Sequence, residues 1–372
     1  MIAANDKELK LLKKSAAEFA RKELAPNREE NDKFPFGPFF DSVLEKAFAA
    51  DFFHTTLPES AGGIGQGISA LSILLDGLSQ EDASLAGIVF TNAAAQEILL
   101  AAGAEDLLGK KTGKAETVKK FLLALPVFNN PGEDHHVVRA EKQNNQYRLT
   151  GDMEYIVPGG LAGHAVIPAV VAGQEKYSFF LVALNQRTLD ISQPVHSLGL
   201  HACPAVDITL KAAKGDLIGE EENGSVYFEA MADRLSVAAA AMSTGIMRGS
   251  FKEAFEYSKA RFQGGHEIIN WSEVQMILAN MAIMTKTAEM VVSRACLAVD
   301  QKEKGWPECS RAAAVHVQAM AGELTTDGIQ VLGGVGYMKD FGQEKRFRDA
   351  RHIQSLLGMV PMKKINYIKK MI

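Results

Sequence analysis

Several things are scarce in this chain, and each scarcity closes off a class of protein. Cysteine occurs three times in 372 residues, at Cys203, Cys296 and Cys309. The three lie far apart and none belongs to a C-x-x-C pair, so no zinc cluster is expected. An odd count suits a reducing compartment, and the three read as buried or idle thiols. Positive charge is not in excess. The net charge is -5 and the isoelectric point near 6.0, which gives no reason to expect a nucleic-acid partner. No uninterrupted apolar run reaches the ~18 residues that a membrane-spanning helix needs. The opening MIAANDKELKLLKK also lacks the apolar stretch of a secretory signal. The expectation is a soluble cytoplasmic protein with no membrane span.

What the chain does have is bulk and apolar content. Its length exceeds what one small core needs and predicts two or three domains, and 47% hydrophobic residues allow a large core. Residues 1–118 read as helical. KELKLLKKSAAEFARKELA sets Leu9, Leu12, Ala16, Phe19 and Leu24 near one helical face, and Pro26 then stops the helix. GISALSILLDGLSQED and LAGIVFTNAAAQEILLAAG predict two more helices, apolar enough to be largely buried, beyond the glycine-rich turn LPESAGGIGQG. From residue 119 to 224 the texture changes to short β-branched or aromatic runs such as QYRLTGDMEYIV, YSFFLVAL and AVDITLKA, separated by Gly, Asn, Asp or Pro. That pattern predicts a small β-barrel or sandwich domain. From 225 to 372 long helices return with Ala, Met and Leu on their inner faces, as in an antiparallel four-helix bundle. The fold class expected is α+β, in the order helical, β, bundle.

Four segments together resemble the acyl-CoA dehydrogenase family. LPESAGGIGQG is similar to its turn after the first helices, and SLGLHACPAVDITL to the segment that ends its β domain. ARFQGG, with Arg261, stands where the family has Arg followed by Phe-Gly. IQVLGGVGYMKDFGQEKRFRDAR carries the family's Gln, Gly-Gly and Arg-Asp-Ala-Arg at matching spacing. The resemblance implies FAD as cofactor, lying between β domain and bundle and covered at its ADP half by a neighbouring subunit. It implies an acyl-CoA substrate that loses two hydrogens from Cα and Cβ, and an electron-transfer flavoprotein as partner. It implies a homotetramer or dimer.

The site residues follow from that resemblance one by one. Arg261 is expected to clamp a pyrophosphate. Gln330, Gly333, Gly334 and Gly336 form a helix-to-turn element whose amides can approach phosphate or ribose; a plain helix cap is the competing reading. On the ring side the family's Thr and Ser hydroxyls are missing. Asn129, Pro131, Gly132 and Asp134 keep a turn-forming composition, Tyr155 offers an aromatic face, and Val157 retains only its backbone N–H for the flavin. The family's commonest catalytic carboxylate precedes the glycine after Arg-Asp-Ala-Arg. Here that place holds Leu357, before Gly358, and leucine takes no proton. A second branch sets a Glu before an Arg on the first bundle helix, and this chain has Asp233 and Arg234 there. Asp233 is the expected base, one methylene short, and Arg234 its orienter; an ion pair with a nearby Lys or Arg is the alternative for Asp233.

Other residues read as structural. His135 and His136, adjacent on an extended segment, make a poor metal pair, and no metal site is expected. His201 and His352 read as polar surface or interface residues, and Met276, Met281, Met284 and Met290 as adaptable core. Three functions stay open. The first is an FAD-dependent acyl-CoA dehydrogenase with an unusual site. The second is a non-catalytic or half-site subunit that pairs with a complete homologue in a hetero-oligomer. The third is a CoA-ester-binding homologue without a redox step.

Overall fold

The structure, a computed structural model, describes residues 2–34, 39–112, 115–133, 138–144 and 146–371. Its first part is helical. Helix α1 (Ile2–Phe19) runs through a π turn, and Pro26 lies in the short 3-10 turn that follows. Then come α2 (Arg28–Asn31), α3 (Phe39–Ala49), α4 (Ile68–Ser79), α5 (Ala83–Ala101), α6 (Glu105–Thr112) and α7 (Val118–Phe121). Asp82 caps α5 by accepting from the Ser84 N–H at 2.8 Å. Although Thr91, Asn92 and Gln96 interrupt its apolar run, α5 is long and apolar enough to cross a membrane. It is a core helix here, with 94% of that window buried.

The middle part is a closed β-barrel. It comprises β1 (Leu123–Ala124), β2 (Arg139–Gln143), β3 (Gln146–Ile156), β4 (His164–Val171), β5 (Tyr177–Ala183), β6 (Leu189–Ile191) and β7 (Val206–Ile218). Strands β4, β2, β3, β7 and β5 pair in that order, and β5 pairs back onto β4, which closes the ring. β1 and β6 attach outside it. Closure removes the exposed sheet edges of a small open sheet. β7 alternates buried and exposed residues over its first half, whereas β4 is buried after His164.

The last part is the bundle. It comprises α8 (Gly224–Ala260), α9 (Ser272–Asp300), α10 (Trp306–Leu332) and α11 (Gln343–Ile353), with α12 (Val360–Lys369) appended. A hairpin of β8 (Phe262–Gln263) and β9 (His266–Glu267) follows α8. At 37 residues α8 is roughly 55 Å long, and it packs on α4 and α5 as well as on its bundle partners. The run Val237–Ala241 is fully buried, because alanines let neighbouring helices come close. Pro307 sits in the first turn of α10, where its missing N–H costs nothing. The methionines of α9 are not all core. Met281 is buried, but Met276 and Met290 are exposed and share an outer stripe with Ile283 and Leu297.

One buried charge cluster joins the three parts. The Lys345 ammonium on α11 donates to Asp82 at 2.9 Å and to Asp349 at 2.6 Å, and all three are buried. Asp349 also accepts from the Leu200 N–H at 2.8 Å, ahead of β7. Arg348 reaches Asp32, after α2, at 2.5 Å. His201 bridges Asp32 and the Ser197 carbonyl; it is buried at a domain junction rather than at the surface. Both ring nitrogens of His201 face acceptors, and the hydrogen bond to Asp32 raises its pKa. Burial alone would raise the Asp32 pKa. The bonds from His201 and Arg348, with the Lys345 charge, reverse that and hold it well below the usual carboxylate range.

Two predictions come from this cluster. Lys345→Met leaves two buried carboxylates without a cation, a change that costs about 3–5 kcal/mol, so the urea midpoint should fall steeply. An unchanged midpoint would show the cluster to be energetically idle. Because the folded Asp32 carboxyl has the lower pKa, it contributes stability above its ordinary value and loses it as pH falls below about 4. Asp32→Asn should therefore flatten the acid side of a stability–pH curve.

Candidate functional site

The residues expected on the ADP side share one end of the bundle. Tyr257 on α8 and Phe341 beyond α10 meet with ring centroids 5.9 Å apart, so the C-termini of α8 and α10 share that end. Arg261 follows α8 and is exposed, as are Gln330, Gly333 and Gly334 at the close of α10. Tyr337 and Phe262 are exposed beside them. Gly264 and Gly265, both with positive φ, form the two-residue loop of the β8–β9 hairpin, a loop that demands glycine at such angles. Their first duty is to that hairpin, which presents Arg261 at its base.

The ring-side residues are arranged differently. Val157 is buried, and its N–H donates to the Leu125 carbonyl at 3.1 Å in a β-bridge. The one donor that the sequence left for a flavin is thus already used. Asn129 lies in the turn between Pro126 and Gly132, with its N–H on the Pro126 carbonyl. Tyr155 is half-buried and already has neighbours. Phe128 meets its ring edge-on at 5.6 Å, and its hydroxyl contacts His352 Nε2 at 3.0 Å. The Tyr155 backbone has φ 58°, a left-handed conformation that costs a tyrosine on the order of 1–3 kcal/mol. An acceptor on β7, Asp207, holds it there through the Tyr155 N–H at 2.9 Å. His352 Nδ1 accepts from the Gly199 N–H at 3.1 Å, so Nε2 carries the ring proton toward Tyr155. Burial lowers the His352 pKa to about 4 and raises that of Tyr155 to about 12. Both stay neutral at physiological pH.

The turn after α11 holds the residue in question. Leu357 is buried with φ 63°, and its N–H donates to the Val127 carbonyl at 2.8 Å. Gly358 has φ 115°, and a Cβ there would press on Asn130 and on the Glu133 carboxylate at 3.1 and 3.4 Å. Glu133 accepts from Asn130 and Asn366, each at 3.0 Å. Lys363 on α12 donates to the carbonyls of Gln354 and Leu356 at 2.6 and 2.8 Å, closing the carbonyl end of α11. Burial lowers the Lys363 pKa to about 8. Sequence reasoning missed Glu133, Asn366, Lys363 and Phe128. Phe128 and Glu133 lie far along the chain from His352 and Gly358, and no spacing signals the encounter; Lys363 and Asn366 lie close in sequence, but nothing in their spacing shows what they bond. Asp134, His135 and His136 lie outside the described residues.

Asp233 and Arg234 are adjacent on α8 but pair on different sides. Asp233 accepts from the Arg311 guanidinium on α10 and from Lys370 at 2.7 Å, and Glu229 joins both cations. Arg234 reaches the buried Glu97 on α5 at 2.9 Å; burial raises the Glu97 pKa against the pull of Arg234. Of the two readings of Asp233, base or ion-pair partner, the geometry shows the ion pair, with Arg311 and Lys370, while Arg234 pairs with Glu97 and does not touch Asp233's partners. Among the described residues no cluster of His, Cys, Asp and Glu could hold a metal ion.

The cofactor that the resemblance implies is thus matched unevenly. The ADP-side set is open and carries a free-standing guanidinium. The ring side offers side chains packed on one another and no spare donor at Val157.

Comparison with known proteins bears on the whole chain. Residues 6–110 match the acyl-CoA dehydrogenase N-terminal domain, and residues 224–362 match the acyl-CoA dehydrogenase C-terminal domain. A caffeyl-CoA reductase-Etf complex subunit, CarC, of Acetobacterium woodii is 28% identical over 359 residues, covering 92% of each chain. A cyclohex-1-ene-1-carbonyl-CoA dehydrogenase of Syntrophus aciditrophicus is 26% identical, covering 94% of this chain and 86% of its own. Among solved structures, an acyl-CoA dehydrogenase complexed with FAD from Bacillus anthracis superposes with a TM-score of 0.89 at 19% identity. That match covers 98% of this chain and 66% of the other. With helical domain and bundle both matched, the chain belongs to the acyl-CoA dehydrogenase family, whose members are oxidoreductases acting on the CH–CH bond of acyl-CoA thioesters.

Proposed function

We propose that the chain serves the α,β-dehydrogenation of an acyl-CoA thioester, with FAD as acceptor and an electron-transfer flavoprotein as electron sink, in a cytoplasmic homotetramer or dimer. The observation that carries this reading is the exposed set of Arg261, Gln330, Gly333 and Gly334 at one end of the bundle, in a chain that matches the family at both ends. A guanidinium beside a glycine turn suits a pyrophosphate, and an outward-facing set suits a cofactor shared with a neighbour. The Acetobacterium relative, named as part of a reductase-Etf complex, supports the flavoprotein partner. When bound, FAD would supply the hydride acceptor. The chain's own contribution is to hold the ADP half through Arg261 and the Gln330–Gly336 turn.

A second reading has its own observation. Leu357 offers no carboxylate, Asp233 is ion-paired, and the Val157 N–H is spent on Leu125. Those three features fit a half-site subunit that lends its ADP-side residues to the FAD of a complete homologue.

The flavin spectrum of the purified chain separates the two. Under the first reading the isolated chain is yellow and an acyl-CoA bleaches it in the absence of oxygen. Under the second it is colourless alone and gains flavin only when co-expressed with a complete homologue. Arg261→Ala should lower the flavin content in either case, and an unchanged content would remove Arg261 from the cofactor site. Asp233→Asn should cost about 1.5–3 kcal/mol of stability through its lost charged hydrogen bonds. If the flavin instead bleaches in the parent and fails to bleach in Asp233→Asn at equal stability, Asp233 is the base.

A further inference from the structure

The segment between β6 and β7 crosses the seam between barrel and bundle, and polar groups hold it there. The Gly199 N–H donates to His352 Nδ1 at 3.1 Å, the Leu200 N–H to Asp349 at 2.8 Å, and the Leu198 carbonyl accepts from Arg348 at 3.2 Å. All three partners lie on α11. On its other side the segment meets the first domain through His201. The Nδ1 atom of His201 lies 2.7 Å from the Asp32 carbonyl and 3.2 Å from the Asp32 carboxylate, and Nε2 lies 2.9 Å from the Ser197 carbonyl. Carbonyl oxygens have no hydrogen to give, and the Asp32 carboxyl, ion-paired with Arg348 at 2.5 Å, stands ionised. A neutral imidazole has one N–H and one bare nitrogen, so one end of it would set a lone pair against a carbonyl oxygen. Only the imidazolium, with a hydrogen on each nitrogen, suits both contacts.

The surrounding charges accommodate that cation. Asp32 faces the ring from the turn after α2. Arg348 and Lys345 stand behind Asp32 on α11, and each has carboxylates of its own, Glu344 for Arg348 and Asp82 and Asp349 for Lys345. His196 faces the ring from the same segment, with centroids 5.5 Å apart. His352 faces it from α11 and is neutral, because burial lowers its pKa to about 4. We infer that His201 is an imidazolium in the folded chain and acts as a pH-sensitive latch, which holds the turn of residues 197–201 closed against Asp32 and α11 while it is charged and opens that turn when it loses its proton. The proton that leaves is the one on Nε2. Nδ1 faces a carboxylate as well as a carbonyl, and the negative charge keeps its hydrogen in place. The bond that breaks is therefore the one to Ser197, and the turn that it closes carries the Gly199 and Leu200 N–H groups bound to α11. The hydrogen bond to Asp32 raises the His201 pKa above its ordinary value against the effect of burial. The latch thus contributes its stability in full below about pH 6.5 and loses it as pH rises through the folded value.

Two measurements on the full-length chain test the latch. In the first, the histidine ring nitrogens are isotope-labelled and followed by NMR across the neutral pH range, with His201 assigned as the signal missing from His201→Gln. Both of its nitrogens should carry hydrogen at about pH 6.5, where an ordinary histidine is half neutral. In the second, hydrogen exchange of the amides of residues 197–201 is measured at each pH. Rates in the parent are divided by those in His201→Gln at the same pH, which removes the intrinsic pH dependence of exchange. The ratio should rise by up to about tenfold per pH unit above the His201 pKa and level off where the two chains match. His201→Arg, charged at every pH, should keep the turn protected where the parent has lost it. Should His201→Gln fail to fold, His201→Arg replaces it in both uses, and the ratio of parent to variant must still rise above the His201 pKa. One bare nitrogen on His201 below about pH 6.5 would overturn the imidazolium. A charged His201 with a ratio that ignores pH would overturn the latch.

Discussion

The ammonium of Lys345 is the interaction on which the rest of the architecture depends. It lies buried between Asp82, which caps a helix of the first domain, and Asp349, which receives a backbone N–H from the segment leading into β7. Burial disfavours its charge, and the two carboxylates more than reverse that, so its pKa is raised. A buried ion cluster of this kind adds little net stability over a well-packed apolar one, yet it is costly to break from one side. Its effect is therefore on geometry. It permits one relative placement of helical domain, barrel and bundle, and Arg348 extends that placement to Asp32.

The Arg348–Arg351 run is accordingly invested in assembly. Arg348 and Asp349 join domains, Ala350 is buried against the bundle, and Arg351 lies over Phe347 and reaches the Gly322 carbonyl. None of the four points a reactive group into the seam. The same helix then delivers His352 to the barrel and ends at the Leu357 turn. The domain junction and the Tyr155–His352 contact both follow from where α11 is pinned.

The fold was legible in the sequence to the extent that periodicity carries it. The runs of β3, β5 and β7, the apolar α4 and α5, and the long bundle helices all announced themselves. β2 did not, because its RAEKQ stretch is charged and has one buried residue. Neither did barrel closure, which depends on the pairing of β5 with both β4 and β7. The methionines of α9 misled because methionine fits an outer stripe as readily as a core; the side of the helix decides, and the residue type does not. The exposed helix ends that carry Arg261 and the Gln330–Gly336 turn were legible because each is local, lying within a few residues. The ring side was not. Phe128 and His352 are separated by more than two hundred residues, and only the folded chain shows that both meet Tyr155.

Leu357 is best understood through its neighbours. The turn that carries it already has one carboxylate beside Gly358, from Glu133, and one buried ammonium, from Lys363, which is committed to the Gln354 and Leu356 carbonyls. Attraction to Glu133 is what keeps the Lys363 pKa from falling further. A second carboxylate at position 357 would enter a buried site whose nearby N–H is spent on Val127 and whose nearest carboxylate is of like charge. Burial and a like charge both raise the pKa of a carboxyl placed there, the direction in which a general base that works near neutral pH is tuned. Leucine at 357 takes no proton, and the part that this residue does play is structural: its side chain is buried and its backbone N–H ties the turn after α11 to Val127, just beyond β1.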